Sequence, residues 1–539
     1  MRKSLVNASS IDDCFKGRRN AAKRRNRRTR GFSIGMALYQ LLVFSTALLG
    51  AAEPFGVEVV DRQTGRGVPL IELRTVDQQR FVTDSAGLVA IDDPVLLGQK
   101  VHFTIRGHGY EFPADGFGFR GVALTVEPGR VVTIQVDRLN IAERIYRVTG
   151  AGIYADSVKL GRDTPLRSPL LGGGVTGQDS VQAVVLGDCI QWFWGDTNRL
   201  GYPLGQFRTS GATSRLPSAG GLPADRGIDL EYLVGDDGFS RSMFERRSNG
   251  VIWLDGVAVV DDDAGRPVII GHFSHREGLA KQIDHGLATF DPLAGQFGQL
   301  KTLPESTSLH LLGQATRRRD DDGVDRIYSA NPFPSLRVPA RHDACYEPSA
   351  YAGFTPLVPG GSFAGRDTPI ARDEAGLIVY DWKPGTPPLT VAQERQLVEL
   401  QLLAPHETRW QLRDAATGKP IVLHAGSARW NKWRQRWILI ATQQGGEHSF
   451  LGDVWYAEAP QPTGPWGNAV RIVSHDHYSF YNPTHHDFFD SDDGRTIYFE
   501  GTYTHTFSKS TDPTPRYDYN QVMYRLDLCD PRLAPALVE

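Results

Sequence analysis

Residues 177–197 read GQDSVQAVVLGDCIQWFWGDT. Two β-prone runs, VQAVVL and CIQWFW, flank the turn pair Gly187-Asp188, which predicts an antiparallel hairpin. Asp179 stands before the first run and Asp196 after the second. One hairpin bracketed by aspartates is a closed turn and nothing more. The same unit repeated along a chain is an architecture, so recurrence decides the fold.

The unit does recur. A polar residue, a strand, a polar turn and a second strand run from Asp255 to His272, from Gln314 to Asn331 and from His485 to Thr502. Each pair is seventeen positions apart, as Asp179 and Asp196 are. A copy with a shorter turn starts near Ser427. Each turn is rich in Asp, Gly or Asn and is followed by an apolar run: WFW, VII, RIY, WILI or TIYF. Five such units, none able to bury both faces alone, predict a five-bladed β-propeller over residues 166–530. Insertions at 198–250 and 350–420 make the spacing irregular, and a sandwich of two stacked sheets is the competing architecture. The strongest helical pattern, TVAQERQLVELQLL from Thr390, has a threonine N-cap and leucines at helical spacing. It reads as one helical insertion on the propeller.

Ahead of the propeller, VEVVDRQTGRGVPLIELRT, RFVTDSAGLVAI, GQKVHFTIRGHGYEF and VALTVEPGRVVTIQVDRL alternate strand and turn. They predict a small antiparallel sandwich over residues 53–138, joined to the propeller by a connection at 139–165. DRQTGRGVP, TDSAG and GHGYEF resemble the carboxypeptidase-regulatory-like, transthyretin-like modules. That resemblance implies a spacer or adhesion unit in an exported protein. His102 and His108 read as ordinary sheet or surface residues. The fold class is all-β.

Bulk composition agrees. With 57 glycines and 33 prolines in 539 residues the chain favours turns and strands over long helices. A net charge of −3 offers no basic surface for nucleic acid. The basic residues cluster in RRNAAKRRNRRTRG, followed at once by FSIGMALYQLLVFSTALLGAAEP. Residues 1–52 therefore read as a basic n-region and an export signal cleaved after Ala52, with an uncleaved membrane anchor as the rival. The expected location is secreted, periplasmic or cell-surface, with membrane contact only if the segment stays attached. Of the four cysteines, Cys14 lies in that segment; Cys189, Cys345 and Cys529 allow one long-range disulfide and one thiol.

A propeller changes what the aspartates mean. Innermost strands start around a common axis, so residues at equivalent positions of several blades converge. Here those positions hold Asp179, Asp255, Gln314, Ser427 and the pair His485-His486, a polar set. Converging carboxylates suit cleavage of a glycosidic bond, which needs one carboxylate as base or nucleophile and one protonated acid. Asp179 is assigned as base or nucleophile and Asp255 as the group that orients the acid and tunes its pKa. Glu347, in ACYEPSAYAGF, is the first choice of acid; Glu447, Glu500 and the two histidines are alternatives. Asp196, His272, Gln314, Ser427, Asn482, His485 and His486 are expected to contact a polysaccharide or oligosaccharide.

GQDS, FWGDT, SFLGDVWYAEAPQPTGPWG and FYNPTHHDFF with IYFEGTY resemble the five-bladed propellers of the arabinanase and levansucrase type. The chain looks closest to an uncharacterised-domain group of exported propellers that includes endo-arabinan-cleaving enzymes. By that resemblance Asp179 matches the first-blade catalytic aspartate. Asp255 occupies the second-blade place without the Arg-Asp-Pro surround, and no glutamate aligns with the acid. The departures keep two other readings open: a carbohydrate-binding or adhesion protein, and a polysaccharide lyase using His485 or Tyr503.

Plainer roles compete at each motif. Asp196 can simply bond the following turn. Asp261-Asp262-Asp263, Asp320-Asp321-Asp322 and DSDDGRTIYFE read as solvated turns rather than calcium loops. HDHYSFYNPTHHD, residues 475–487, is the densest histidine stretch, yet it lacks the helical spacing of a zinc pair. No cofactor and no metal ligand are assigned, with a single ion on the propeller axis left open. Trp192, Trp194, Trp430, Trp433, Trp437, Trp455 and Trp466 read mainly as packing between blades. No nucleophile elbow, phosphate loop or dinucleotide fingerprint occurs.

Overall fold

Alternating apolar and polar residues give this chain strands almost throughout, and the computed structural model describes residues 53–202, 209–245 and 250–537. The predicted signal lies outside the described residues. Pro54–Glu539 form one compact unit. Its first part is two four-stranded sheets. One is built from Leu88–Ile91, Phe55–Asp61, Val131–Arg138 and Tyr110–Glu111 in that order; the other from Arg80–Val82, Glu72–Arg74, Lys100–Arg106 and Gly121–Thr125. Val57, Val59, Leu73, Phe103, Ile105 and Val136 fill the space between them. Neighbouring strands are antiparallel except the first and last, Phe55–Asp61 and Val131–Arg138, which run parallel.

Five further sheets make a five-bladed propeller. Blade 1 is Gln182–Leu186, Cys189–Trp194, Ser210–Arg215 and Glu231–Tyr232. Blade 2 is Val251–Asp261, Pro267–Glu277, Lys281–Asp291 and Gln296–Leu303. Blade 3 starts with Thr316–Arg319 and Asp325–Ser329 and extends outward to Asp381–Pro384. Blade 4 starts with Leu423–Asn431 and Arg436–Gln443. Blade 5 is Ser479–His485, Thr496–Thr504, Asn520–Asp527 and, as its outer strand, Glu143–Arg147. That outer strand comes from the segment read as a connection, so the ring closes with a strand from ahead of blade 1. Burying Ile145 and Tyr146 there removes most of the freedom a linker would have.

The ring is sealed by a separate apolar cluster at each blade junction. Phe193 packs on Phe273, Phe290 and Phe297 between blades 1 and 2. Ile270 and Leu287 meet Ile327 and Val338 between blades 2 and 3. Phe333 meets Trp437 and Leu439 between blades 3 and 4, and Ile438 and Ile440 meet Phe480 and Phe499 between blades 4 and 5. Trp192 and Trp194 meet Tyr146, Tyr498 and Met523 between blades 1 and 5. The tryptophans are thus mostly mortar, with Trp433 exposed. A buried ring of this size removed to alanine costs about 3–5 kcal/mol.

Two arginines of the joining segment bind the parts together. Arg144 donates to the carbonyls of Pro69 and His108 in the sandwich, at 3.0 Å each. Arg147 donates to Asn520 Oδ1 at 2.9 Å in blade 5 and lies 3.8 Å over the Tyr517 ring. His108 is half-buried at this junction. It packs against His475 and Tyr478, and burial pushes its pKa down to about 3.

The insertion forms the helix Val391–Glu399, whose N-cap Thr390 accepts from the Gln393 amide while the Gln393 side chain returns the bond. Among the described residues no helix is long and apolar enough to cross a membrane. Cys345 and Cys529 are thiols, so the long-range disulfide is not made between them.

Candidate active site in the axial cavity

A strand in a regular ladder alternates its side chains between two faces, so it aims only every second residue at a neighbour. The inner edges of this propeller break that rule where they reach the axis. In blade 2 the register slips between Leu254 and Gly256, leaving Asp255 as the bulged residue. In blade 4 it slips across His424, and in blade 5 across Asn482 and Pro483. Blade 1 breaks between Gln178 and Gln182, with Ser180 at φ 56°. Bulges re-aim side chains, and here they aim them at one place.

That place is a cavity of about 690 Å³ to which all five blades contribute. Asp179, Asp196, Asp255, Gln314, Asn482 and Tyr481 line it, with Trp253, His424, Phe507 and Tyr519. Ser180, Asn482, Phe507 and Tyr519 all hold left-handed backbone, with φ of 56°, 51°, 65° and 63°. Non-glycine residues in that region cost about 1–3 kcal/mol each and persist where the surroundings impose them. Polar bonds stitch the wall between blades. Gln314 Nε2 donates to the Val181 carbonyl at 2.8 Å, and Asn482 Nδ2 donates to Ser180 Oγ at 2.8 Å.

Asp179 and Asp196 are neighbours in space because their backbones pair. The Gly195 amide donates to the Asp179 carbonyl, and the Asp196 amide donates to Asp179 Oδ1, both at 2.8 Å. Glycine at 195 makes room for this carboxylate: a Cβ there would sit 2.5 Å from Asp179 Oδ1 and push it aside. The other Asp179 oxygen accepts from the Tyr481 hydroxyl at 2.8 Å, and Tyr519 donates to the same carboxylate. Burial raises the Asp179 pKa while these donors oppose the rise. Asp196 has one side-chain donor, the Trp253 indole at 2.7 Å. Burial and then the charge of Asp179 push its pKa up to about 7. Two carboxylates this close do not both ionise readily, so the pair carries a shared proton near neutrality.

Asp255 faces the same cavity and is held from behind. Ser274 Oγ donates to its Oδ1 at 3.2 Å, and His272 Nδ1 lies 3.2 Å from its Oδ2. His272 is buried in the second strand of blade 2 and positions Asp255 without lining the cavity.

Other expected site residues are elsewhere. Glu347 is exposed in the outer connection of blade 3 and is not among the residues that line the axial cavity. Glu447 is exposed as well. Ser427 is fully buried and accepts the His485 amide at 2.7 Å, a bond that ties blade 4 to blade 5. His485 turns to Asp490 at 2.8 Å and His486 to Glu500 at 2.7 Å, both beneath the surface, because they lie past the bulge that serves the cavity. Tyr503 is buried with its hydroxyl on Thr514, so the residues of the lyase reading lie away from the cavity. The aspartate-rich turns hold arginines: Asp261 pairs with Arg317, and Asp320 and Asp322 pair with Arg326.

Sequence reading missed Trp253, Tyr481, Tyr519 and Phe507. Trp253 had a legible signal, two residues before Asp255 on an inner strand. Tyr519 had none, since it reaches the axis from a left-handed turn just ahead of the third strand of blade 5.

No protein-family model matches this chain, and no curated protein does. Solved structures align with it. The exo-β-1,3-galactanase of Phanerochaete chrysosporium with galactose is 10% identical, at a TM-score of 0.34, over 72% of this chain and 65% of that one. An exo-β-1,3-galactanase from Clostridium thermocellum is 12% identical, at 0.32, over 67% and 60%. An exo-1,5-α-L-arabinanase from a bovine ruminal metagenomic library is 9% identical, at 0.32, over 66% and 94%.

Proposed function

We propose that the axial cavity takes an oligosaccharide or the end of a polysaccharide and hydrolyses a glycosidic bond with aspartates alone. The observation that carries this reading is the convergence of Asp179, Asp196 and Asp255, with Asp196 pushed up to about 7 beside a carboxylate saturated by donors. Asp196 delivers its proton to the glycosidic oxygen as the C–O bond breaks. Asp255 takes a proton from the water that attacks the anomeric carbon. Asp179 touches Asp196 and holds its proton in place rather than acting as the base. Trp253 and Phe507 offer apolar faces to a sugar ring, and Gln314, Asn482 and His424 offer hydrogen bonds.

Asp179's saturated oxygens and the lack of a glutamate among the described lining residues favour a second reading, a pocket that binds sugar without cleaving it. The purified chain, Asp196→Asn and Asp255→Asn, assayed on a panel of plant and algal oligosaccharides, separate the two. The hydrolase reading expects reducing ends from the parent and about 100-fold or greater loss in each variant, with sugar binding kept. Binding without release by the parent on every glycan supports the binder instead. Export of the chain belongs to the same proposal. It rests on the basic and apolar residues of 1–52 and is checked by N-terminal sequencing of the exported protein.

A further inference from the structure

Three histidines meet inside blade 2 behind the cavity: His272 and His285 on its middle strands and His310 on the segment leading to blade 3. One ring nitrogen from each lies within 4.8 Å of the others. What their remaining nitrogens do decides the chemistry. His285 Nε2 lies 2.9 Å from the Pro304 carbonyl and His310 Nδ1 lies 2.9 Å from the Leu311 carbonyl. Carbonyls only accept, so both nitrogens carry hydrogen. His272 Nδ1 lies 3.2 Å from Asp255 Oδ2 without hydrogen-bond geometry, a buried nitrogen with no other partner among the described residues; placing this ring's hydrogen there leaves Nε2 bare.

Each neutral imidazole has one N–H, so the three inner nitrogens are then lone pairs. His272 Nε2 and His285 Nδ1 face each other at 2.9 Å: with a hydrogen on His272 Nε2 this is an N–H···N bond, and with both nitrogens bare it is a contact that a cation between them relieves. Outer nitrogens given to two carbonyls, with a carboxylate beside the third and the inner nitrogens clustered, is how proteins orient metal-binding histidines. We propose that His272, His285 and His310 form a three-imidazole site for a divalent first-row transition ion of the zinc class. Imidazole donors without a carboxylate among them suit zinc, copper or nickel and not calcium or magnesium. Tetrahedral zinc spaces its nitrogens about 3.4 Å apart; His310 lies stacked on His272, 3.7 Å between ring centroids and 10° between planes, so its ring turns out of the stack to bring its nitrogen onto the ion.

The ion would pin the middle strands of blade 2 to the segment that runs from His310 into Leu312, Gly313 and Gln314 of the cavity wall. The site stands independently of any sugar chemistry.

The test uses the full chain, stripped with a chelator and titrated with Co(II). The expected result is one equivalent bound with visible ligand-field bands, displaced by Zn(II) and unaffected by Ca(II). X-ray absorption of the zinc-loaded chain should show three imidazole nitrogens at about 2.0–2.1 Å. His310→Ala, at a half-buried position that leaves the blade core intact, should weaken binding at least tenfold, and the exposed His477→Ala should not. Absence of cobalt bands at one equivalent overturns the proposal, and is the result expected if an extra proton bridges His272 and His285 instead. Bands that persist in both His310→Ala and His285→Ala overturn it as well.

Discussion

Blade 5 and the blade 1–2 side of the axis each gather ionisable groups, and they gather them in opposite ways. Residues 475–490 are crowded in sequence, yet the structure disperses them. His475 bonds Tyr524 at 2.9 Å, His485 bonds Asp490 and His486 bonds Glu500, all in closed, buried pairs. Asp179, Asp196, Asp255 and the histidines at 272, 285 and 310 are scattered in sequence, yet they meet. A strand sends consecutive side chains to opposite faces, so density along it separates groups. Convergence needs different strands brought together.

This contrast can be broken by substitution. The largest effect expected is on the axial side, where Asp196→Asn should cut turnover by about 10²–10⁴-fold. In the parent, activity should fall as pH rises through about 7, because the acid form of Asp196 is the working one. The same group should make the fold less stable over that range. Its folded pKa of about 7 lies above the ordinary carboxylate value, so between about pH 4 and 7 the folded chain holds a proton the unfolded chain has lost. Stability attributable to Asp196 therefore declines as pH rises through that window. Asp196→Asn should melt higher than the parent at pH 8, measured by calorimetry, even though it is inactive. A lower melting temperature would place Asp196 with the closed pairs of blade 5.

Next in size is Glu500→Ala. It strands His486 in a buried site and should cost about 3–5 kcal/mol in denaturant unfolding. A loss of activity without loss of stability would move this pair to the functional side of the contrast. Phe507→Ala should weaken sugar binding by about 0.5–1.5 kcal/mol with the fold unchanged, since Phe507 is half exposed and its ring meets Tyr481 edge-on. Smallest is His477→Ala, where the side chain is 82% exposed; the expected change is within about 0.5 kcal/mol.

Much of the architecture was legible in the sequence because it depends on local periodicity. The sandwich strands, the hairpin of residues 182–194, the capped helix at Thr390 and the recurrence of one β unit all follow from alternation and turn chemistry. The roles at the site were less legible. Asp179, Asp255 and Gln314 were found because they stand at the start of repeats. Ser427, His485 and His486 were chosen by the same rule and lie off the axis, because bulges in blades 4 and 5 shift which residue faces inward.

The amino-acid order alone determined that this chain makes strands, where they turn, and that one hairpin is repeated. Those features are set within a few residues, by which side chains alternate and which turns close. Tertiary structure alone decided that Asp179 and Asp196 share a proton, that Glu347 stands outside, and that three distant histidines share a space. The reason is that proton affinity and convergence depend on burial and on neighbours from other blades, and a one-residue slip in register moves a side chain from one face to the other.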